Sequence, residues 1–307
     1  MRAYLWTVLR RLGLLEQARR SWCAVLARAK GISVVRDAQA IRIRRKQDEI
    51  RIASSHGVYL GDMINFFDYY FSAVVPEEQG GYRVADYSQP KVHRLSGSQV
   101  AFEFPSLPES DESTEAYLTA LQPKAGEVVL DLGSYAGAST YFFSKAVGPE
   151  GIVAAFEPDP TSRVSLERNV REHSLANVKI FPLGIWSEAK TMAFQSEGNM
   201  GSSVSEIVKR SSNTREVEMI TLEEAARLAG ASSVACVKMD IEGAEVAVLQ
   251  AAGDFLQRHR PRLVIEPHLV EGRMSTEPIM AILRRAGYRV DVISQGKDWP
   301  LISATPQ

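Results

Sequence analysis

Polar side chains follow the apolar, strand-like runs of this chain. Four of these runs are followed by such residues: Asp131, Glu157, Asp240, and the pair Glu266 and His268. The β and α segments alternate, which predicts a parallel sheet whose strand ends meet at one edge, so we expect these five side chains to lie together. A histidine among carboxylates can serve general acid–base catalysis at neutral pH or hold a divalent cation. The pattern therefore predicts a catalytic edge.

His268 is the natural base of this edge because the pKa of a histidine lies near neutrality. Asp240 or Glu266 would orient the imidazole or bind a hydroxyl of the substrate. The same three residues could instead hold a divalent cation such as magnesium, which would acidify that hydroxyl. We favour metal-free base catalysis and assign no metal ligand. Glu242 and Glu245 follow on a predicted helix that begins nearby, where acids also stabilise a helix N-terminus.

The segment Val128–Thr140 predicts a buried strand, a loop of small residues and the start of a helix. Gly133 and Gly137 allow a ligand to approach the backbone closely, and glycine accepts the positive φ that some turns need. Glu157 ends the next strand, where an acid accepts hydrogen bonds from a ribose diol. Together these features predict a pocket for a cofactor that contains adenosine.

Charge decides which cofactor this pocket favours. Tyr135 stands where a dinucleotide-binding loop has its second glycine, and its bulk would crowd a pyrophosphate. Asp131 at the strand end suits a cationic group. S-adenosylmethionine (SAM) carries an ammonium and a sulfonium but no phosphate, so we predict SAM rather than NAD. Ile185 and Trp186, after the third strand, could supply an apolar wall for the adenine.

Composition and charge limit the function classes. The chain has 307 residues, of which 45% are hydrophobic and 24% charged, enough for one α/β core and an appendage. Cys23 and Cys236 lie far apart, which predicts neither a disulfide nor a zinc site and fits a reducing cytoplasm. No apolar run is long enough to span a membrane, and the short N-terminal apolar stretch does not fit a secretory signal.

The basic charge is concentrated at the N-terminus. Residues 1–53 carry 13 lysines and arginines against 4 acids, whereas the rest of the chain is acidic. Residues 2–29 predict an amphipathic helix, which could lie on anionic lipid or pack on the protein body or a second subunit. Prolines and acids near residue 110 mark a boundary. We predict an N-terminal α+β cap or extension over 1–110 and a catalytic domain over 111–307.

Several stretches resemble the FkbM-type family of SAM-dependent methyltransferases. They are VVLDLGSYAGAST, IVAAFEPDP, NVKIFPLGIWS, VKMDIEGAEVAVLQAA and RPRLVIEPH, and they cover roughly residues 125–268, about half of the chain. The resemblance implies a Rossmann-like class I methyltransferase sheet of seven strands, mostly parallel with the last one antiparallel, and helices on both faces. It also implies transfer of a methyl group to hydroxyls of sugars or natural products in many members.

The resemblance assigns roles to particular residues. Asp131, Gly133 and Gly137 would surround the methionine part of SAM, Glu157 would bind its ribose, and Asp240 would sit at the reaction centre. Many relatives carry Asn where this chain has Tyr135, so a side-chain amide contact to SAM is expected to be absent. The predicted cofactor-binding set is Asp131, Gly133, Ser134, Tyr135, Gly137, Glu157, Pro158, Ile185, Trp186 and Asp240.

Other functions are compatible with parts of this pattern. An NAD-linked oxidoreductase would use a similar sheet, but Tyr135 and the acid at position 240 disfavour it. A non-catalytic binding protein with this fold is a further alternative, against which the retention of Asp240, Glu266 and His268 argues. A nucleic-acid substrate ranks low because the body is acidic and contains no recognised RNA-binding module. The expected partner is a small molecule or glycan with a free hydroxyl, whose identity stays open.

Overall fold

The computed structural model describes residues 15–196, 203–204, 214–270, 272–294 and 300–307. Contacts between Cα atoms divide the chain into two compact units, Met1–Ser110 and Asp111–Gln307. Every described helix is too short or too polar to cross a membrane.

The first unit is a small α+β arrangement. Its elements are α1 (Leu15–Ala29), β1 (Ser33–Arg36), β2 (Ala40–Arg45), β3 (Asp48–Ala53), a 3-10 helix (Ser54–Tyr59), α2 (Leu60–Asn65), α3 (Phe67–Ser72), β4 (Glu77–Gln79), β5 (Tyr82–Tyr87), β6 (Lys91–Arg94) and β7 (Ala101–Phe104). A five-stranded sheet has the order β1-β2-β3-β5-β4, and β6 pairs with β7. Neighbouring strands are antiparallel except for β3 and β5.

Alternation of apolar and charged residues decides the two faces of the five-stranded sheet. Four isoleucines are fully buried on one face: Ile41, Ile43, Ile50 and Ile52. On the other face, Arg44 and Arg51 both bind the buried carboxylate of Glu49. On helix α1, Trp22 is 45% exposed and Val25 is 70% exposed. Contact of this helix with a membrane or a second subunit stays a prediction.

The second unit alternates strands and helices. Its elements are α4 (Asp111–Leu121), β8 (Val128–Leu132), α5 (Ala138–Val147), β9 (Ile152–Phe156), α6 (Pro160–Glu172), β10 (Val178–Phe181), β11 (Gly184–Ile185), β12 (Lys190–Gln195), β13 (Ser203–Val204), β14 (Thr214–Ile220), α7 (Leu222–Ala229), β15 (Cys236–Met239), α8 (Glu245–Ala251), α9 (Gly253–His259), β16 (Arg262–Ile265), β17 (Leu269–Val270), β18 (Arg273–Met274), α10 (Thr276–Arg285), β19 (Tyr288–Ser294) and β20 (Pro300–Pro306).

A seven-stranded sheet forms the centre of this unit, with the order β10-β9-β8-β15-β16-β20-β19. Strands β10, β9, β8, β15 and β16 are parallel to one another, whereas β20 is antiparallel to both β16 and β19. Fully buried strands such as Cys236–Met239 are typical of a sheet covered on both faces. The fold predicted from the sequence, a mostly parallel seven-stranded class I methyltransferase sheet, is confirmed.

The register of the central strands aligns their ends. Met239 on β15 pairs with Leu132 on β8 and with Ile265 on β16. The residues that follow these three strands therefore begin at one level of the sheet edge, where open α/β sheets bind ligands.

Local signals explain where the neighbouring helices begin. Asp159 caps α6 by accepting from the Thr161 N–H, with Pro160 at the first helical position. Thr221 and Glu224 form a capping box at the start of α7.

Two predictions about local structure need adjustment. The helix expected to begin near Gly243 begins at Glu245, and Glu242 lies before it in a turn with a φ of 53°. The Gly/Ser-rich segment 197–206, which from its sequence is either a mobile lid or a disordered loop, lies outside the described residues except for the short strand Ser203–Val204.

Candidate active site

Gly133 brings two strand ends into contact. Its φ is 77°, and a Cβ at this position would overlap the backbone carbonyl oxygen of Asp240. Gly137 has a φ of 87° at the start of α5, and a Cβ there would overlap the side chain of Leu166. Both positions need glycine for conformation and for space, so the loop is held tightly against its surroundings even before a ligand approaches.

Asp131 lies beneath this loop rather than at its surface. Its side chain is fully buried, and Oδ2 accepts hydrogen bonds from the hydroxyls of Ser139 (3.0 Å) and Thr140 (2.6 Å). The Ser134 hydroxyl, also fully buried, donates to the backbone carbonyl of Asp131 at 2.8 Å. In this arrangement Asp131 and Ser134 shape the loop and the start of α5, and their contact with a cofactor stays a prediction.

Glu157 faces the loop through hydrogen bonds to backbone amides. Oε2 accepts from the Tyr135 N–H at 2.7 Å and Oε1 from the Asp159 N–H at 2.8 Å. Burial and the nearby charge of Asp159 raise the pKa of Glu157 to about 8, although the two amides oppose that shift. Tyr135 has a φ of 47°, a costly conformation for a bulky residue that these contacts help to maintain.

The remaining predicted cofactor residues differ in exposure. Pro158 is half-buried beside Glu157, and its carbonyl lies 3.5 Å from the Arg163 guanidinium. Ile185 belongs to the main hydrophobic core, so its side chain is not an exposed wall. The Trp186 ring is half-buried against that core and a smaller one formed by β12 and β14, with the Lys190 ammonium 5.5 Å from its centre.

His268 is surrounded by carboxylates. Its Nδ1 atom lies 2.9 Å from Oε1 of Glu245, and Nε2 lies 3.5 Å from oxygens of both Asp240 and Glu242. The backbone N–H of His268 donates to the Ser275 hydroxyl at 2.9 Å. Glu245 thus orients the imidazole, a role that the sequence analysis gave to Asp240 or Glu266.

The electrostatics of this cluster change the expected charge of His268. Burial alone would lower its pKa, but attraction to Glu242 and Glu245 outweighs burial and raises the pKa of His268 well above 6.5. Burial and repulsion from Glu266 raise the pKa of Asp240 well above 3.8, against the attraction of Lys238 and His268. This upward shift favours the protonated imidazole in the absence of a ligand, whereas the sequence analysis assumed a pKa near neutrality.

Glu266 is held by a residue that the sequence analysis missed. The Tyr117 hydroxyl on α4 donates to Oε2 of Glu266 at 3.0 Å. Lys238 was also missed, and its Nζ atom lies 3.6 Å from Asp131 and 3.7 Å from Asp240. A lysine inside the apolar run VACVKM was the signal for Lys238, because a buried cation needs anionic partners. No comparable signal marked Tyr117.

Asp240, Glu266 and His268 could also hold a metal ion. One ligand atom from each lies within 4.8 Å of the others. A divalent cation would compete with the Lys238 ammonium near Asp240 and with the Tyr117 hydroxyl on Glu266. It remains an alternative occupant of the same position.

The residues at this edge fit SAM. Glu157 places its side-chain oxygens beside the glycine loop for the ribose hydroxyls, and Asp240, 28% exposed, places an acidic group at the adjoining strand end for a cationic group. Four carboxylates stand around His268 and Lys238 (Asp240, Glu242, Glu245 and Glu266), an excess of acid that suits a sulfonium or ammonium.

Two solved structures of methyltransferases are similar to parts of this chain. The solved structure of methyltransferase FkbM from Methylobacillus flagellatus is 16% identical and covers 83% of this chain and 56% of its own, with a TM-score of 0.44. The structure of a SAM-dependent O-methyltransferase from Thermotoga maritima is 13% identical and covers 71% and 78%, with a TM-score of 0.42. Because both scores lie below 0.5, these likenesses carry no argument here.

A curated relative matches a shorter part of the chain. The tRNA (adenine(58)-N(1))-methyltransferase TrmI of Thermus thermophilus is 36% identical over 86 residues, which is 28% of this chain. The chain spans only 33% of the length of that relative.

The family comparison covers the whole candidate site. A model of the methyltransferase FkbM domain matches residues 131–290, more than half of the chain, from Asp131 in the glycine loop to beyond His268. This chain therefore belongs to the FkbM family of SAM-dependent methyltransferases.

Proposed function

We propose that this protein transfers the methyl group of SAM to a hydroxyl oxygen of a small molecule or glycan. The observation that carries the proposal is the imidazole of His268. Glu245 accepts a hydrogen bond from its Nδ1 and leaves Nε2 directed toward Asp240 at the sheet edge. A base oriented in this way is what a hydroxyl nucleophile needs and what a more basic nucleophile would not require.

Different residues of this chain have different roles in the proposed reaction. Bound SAM supplies an electrophilic methyl group on a sulfonium. Glu157 and the loop around Gly133 would hold the ribose and methionine parts, and Asp240 would face the positive charge. His268 would accept the hydroxyl proton at Nε2, and Glu266, fixed by Tyr117, would bind a hydroxyl of the acceptor. The hydroxyl proton would pass to His268 as the carbon–oxygen bond forms and the methyl–sulfur bond breaks, with the neutral thioether S-adenosylhomocysteine as the leaving group. The orientation of the reacting groups would supply much of the rate.

The charge of His268 links this base to cofactor binding. Without a ligand, attraction to Glu242 and Glu245 raises the pKa of His268 and so favours the protonated imidazole. A positive charge placed beside Asp240 and Glu242 offsets their attraction and lowers the pKa of His268. The base is then neutral only in the complex in which a methyl group is present to be transferred.

The experiment follows an isotopic label. The protein is incubated with SAM carrying a 13C methyl group and a panel of hydroxyl acceptors: a free hexose, a glycoside and a polyhydroxylated natural product. We expect a new 13C methyl ether resonance, and loss of that resonance in His268→Ala. Label found on nitrogen or carbon, or no transfer to any acceptor by a protein that binds SAM, would contradict O-methylation.

The same assay tests the alternative that a bound metal ion, and not His268, activates the hydroxyl. It is run with a chelator and again with added magnesium. We expect the transfer rate to be equal in the two conditions if His268 acts as the base. A rate that depends on magnesium would assign Asp240, Glu266 and His268 to metal binding instead.

A further inference from the structure

Lys238 is a buried cation between the two halves of the site. Its side chain is 2% exposed, and Nζ donates to the backbone carbonyl of Gly133 at 2.6 Å. The same ammonium lies 3.6 Å from Oδ1 of Asp131 and 3.7 Å from Oδ2 of Asp240. We propose that Lys238 is a positioning residue that joins the glycine loop to the strand end carrying Asp240 and acts as the shared counter-ion of Asp131 and Asp240.

The contacts of Lys238 reach three adjacent strands. Gly133 and Asp131 belong to β8 and the loop after it, and Lys238 itself is on β15. The ammonium also lies 5.5 Å from the centre of the Tyr117 ring, whose hydroxyl holds Glu266 at the end of β16. Lys238 therefore fixes the loop after β8, Asp240 and Glu266 relative to one another.

Asp131 gives an independent reason for a cation at this position. Its carboxylate is fully buried, and Oδ2 is used by Ser139 and Thr140. Within the described part of the chain, Oδ1 accepts no hydrogen bond. A buried charge without compensation is strongly unfavourable, and the Lys238 ammonium supplies that compensation.

Asp240 gives the reason why this cation matters for the reaction. It is faced by Lys238 from its own strand, by Glu242 from the following turn, and by Glu266 and His268 from the end of β16. Asp131 lies on the other side of Lys238. Of these groups only Lys238 and His268 oppose protonation of Asp240, and His268 must itself lose its charge to act as a base. Lys238, 3.7 Å from Oδ2, is then the cation that still compensates the charge of Asp240.

This inference rests on the proposed function in one respect, because it assumes that Asp240 faces the cofactor and the acceptor hydroxyl. A lysine with a purely structural role would change stability alone. A lysine that neutralises Asp240 also changes the pH at which the site titrates, which can be measured without turnover.

The test titrates the His268 ring by NMR in the ligand-free protein, with His268→Ala to assign its signal, and measures SAM affinity against pH by calorimetry. Lys238→Met is compared with Asp131→Asn/Lys238→Met, which removes the buried acid as well and so restores folding if the single variant is unstable. Val237→Ala, the adjacent fully buried position, is the control for a destabilised core. Each variant is measured in all of these experiments.

We expect two midpoints to move upward by about one pH unit or more in Lys238→Met: that of the His268 NMR titration and that of the dependence of SAM affinity on pH. The reason is that an ammonium close to Asp240 is lost. The double variant keeps an upward shift, and Val237→Ala shows none. Unchanged midpoints in a folded Lys238 variant would overturn the inference. If the midpoints shift but the wild-type protein methylates no hydroxyl, O-methylation fails while the role of Lys238 stands.

Discussion

The Nδ1 atom of His268 lies 2.9 Å from Oε1 of Glu245, a carboxylate that is fully buried at the start of α8. The same oxygen accepts from the backbone N–H groups of Ile241 (3.3 Å) and Gly243 (3.1 Å). Glu245 thus fixes both the turn after Asp240 and the imidazole that faces it. This pair resembles in its geometry the acid–histidine pairs that hold a base in one tautomer.

Replacing Glu245 by Gln tests this orientation. The amide keeps an acceptor for the turn but can donate to Nδ1 and favour the wrong tautomer, so we expect turnover to fall about 10- to 100-fold. Loss of the carboxylate also lowers the pKa of His268, so the pH at which the rate rises should move downward. Initial rates over a pH series, at saturating SAM, measure both effects.

Glu242→Gln is the matched control, because Glu242 faces Nε2 at 3.5 Å and does not touch Nδ1. It removes a charge near His268 without changing the residue that orients the ring. A similar downward shift in pH with a smaller loss of turnover than in Glu245→Gln supports the account. Equal losses in the two variants would mean that charge alone, and not orientation by Glu245, is what matters.

The raised pKa of Glu157 predicts how stability depends on pH. Its pKa is about 8 in the folded protein against 4.5 for an ordinary glutamate, so the folded state holds an extra proton between these values. The free energy of unfolding should therefore fall as pH rises from 4.5 to 8, by roughly 4 kcal/mol from this group. Urea unfolding of wild type and Glu157→Gln over this range measures the difference in slope.

The comparison of the two pH dependences of unfolding could also contradict the raised pKa of Glu157. Identical pH dependence in wild type and Glu157→Gln would show that Glu157 titrates normally and is not buried as described.

The role of Glu157 in cofactor binding needs a separate measurement. Glu157→Ala should weaken SAM binding by about 1–3 kcal/mol, the cost of ribose hydroxyls without a partner, and unchanged affinity would remove Glu157 from the site.

The close contact between Gly133 and Asp240 predicts that a side chain at position 133 would disturb the glycine loop. In Gly133→Ala the new Cβ meets the carbonyl of Asp240, and the positive φ is strained as well, so the strand ends must separate. We expect a loss of stability of about 2 kcal/mol or more and SAM binding too weak to measure by calorimetry. Gly126→Ala, also at positive φ but with open space around its Cβ, should cost only about 1 kcal/mol and keep SAM binding. Similar results for the two variants would show that the close contact with Asp240 is unimportant.

The fold could be predicted from the sequence because its signals are local. Short apolar runs alternate with helical segments, and the caps at Asp159 and Thr221 mark where helices begin. The order of strands in the sheet is not a local property, and only the structure gives it. The resemblance to the FkbM family implied the number of strands and the antiparallel last strand. Helix α1 shows the limit of periodicity, since Trp22 and Val25 lie on its apolar stripe and are nevertheless exposed.

The site could be predicted only as far as strand ends identify it. Asp240, Glu266 and His268 meet because neighbouring parallel strands end at one level, which alternation of elements implies. Tyr117 reaches Glu266 from a helix far away in sequence, and no spacing rule predicts that contact. The charge of His268 depends on Glu242 and Glu245 together, so the ordinary pKa of histidine was a poor guide.

The most direct test of the central claim is the rate of methyl transfer to a hydroxyl acceptor by His268→Ala, measured together with its SAM affinity. We expect turnover to fall about 100-fold or more while SAM affinity is not weakened, because the proton acceptor is lost and the cofactor pocket is not. His173→Ala, which removes a histidine from the end of α6 outside the site, should keep wild-type rates. Full activity in His268→Ala would contradict the account and would leave Asp240 or a bound metal ion as the group that activates the hydroxyl.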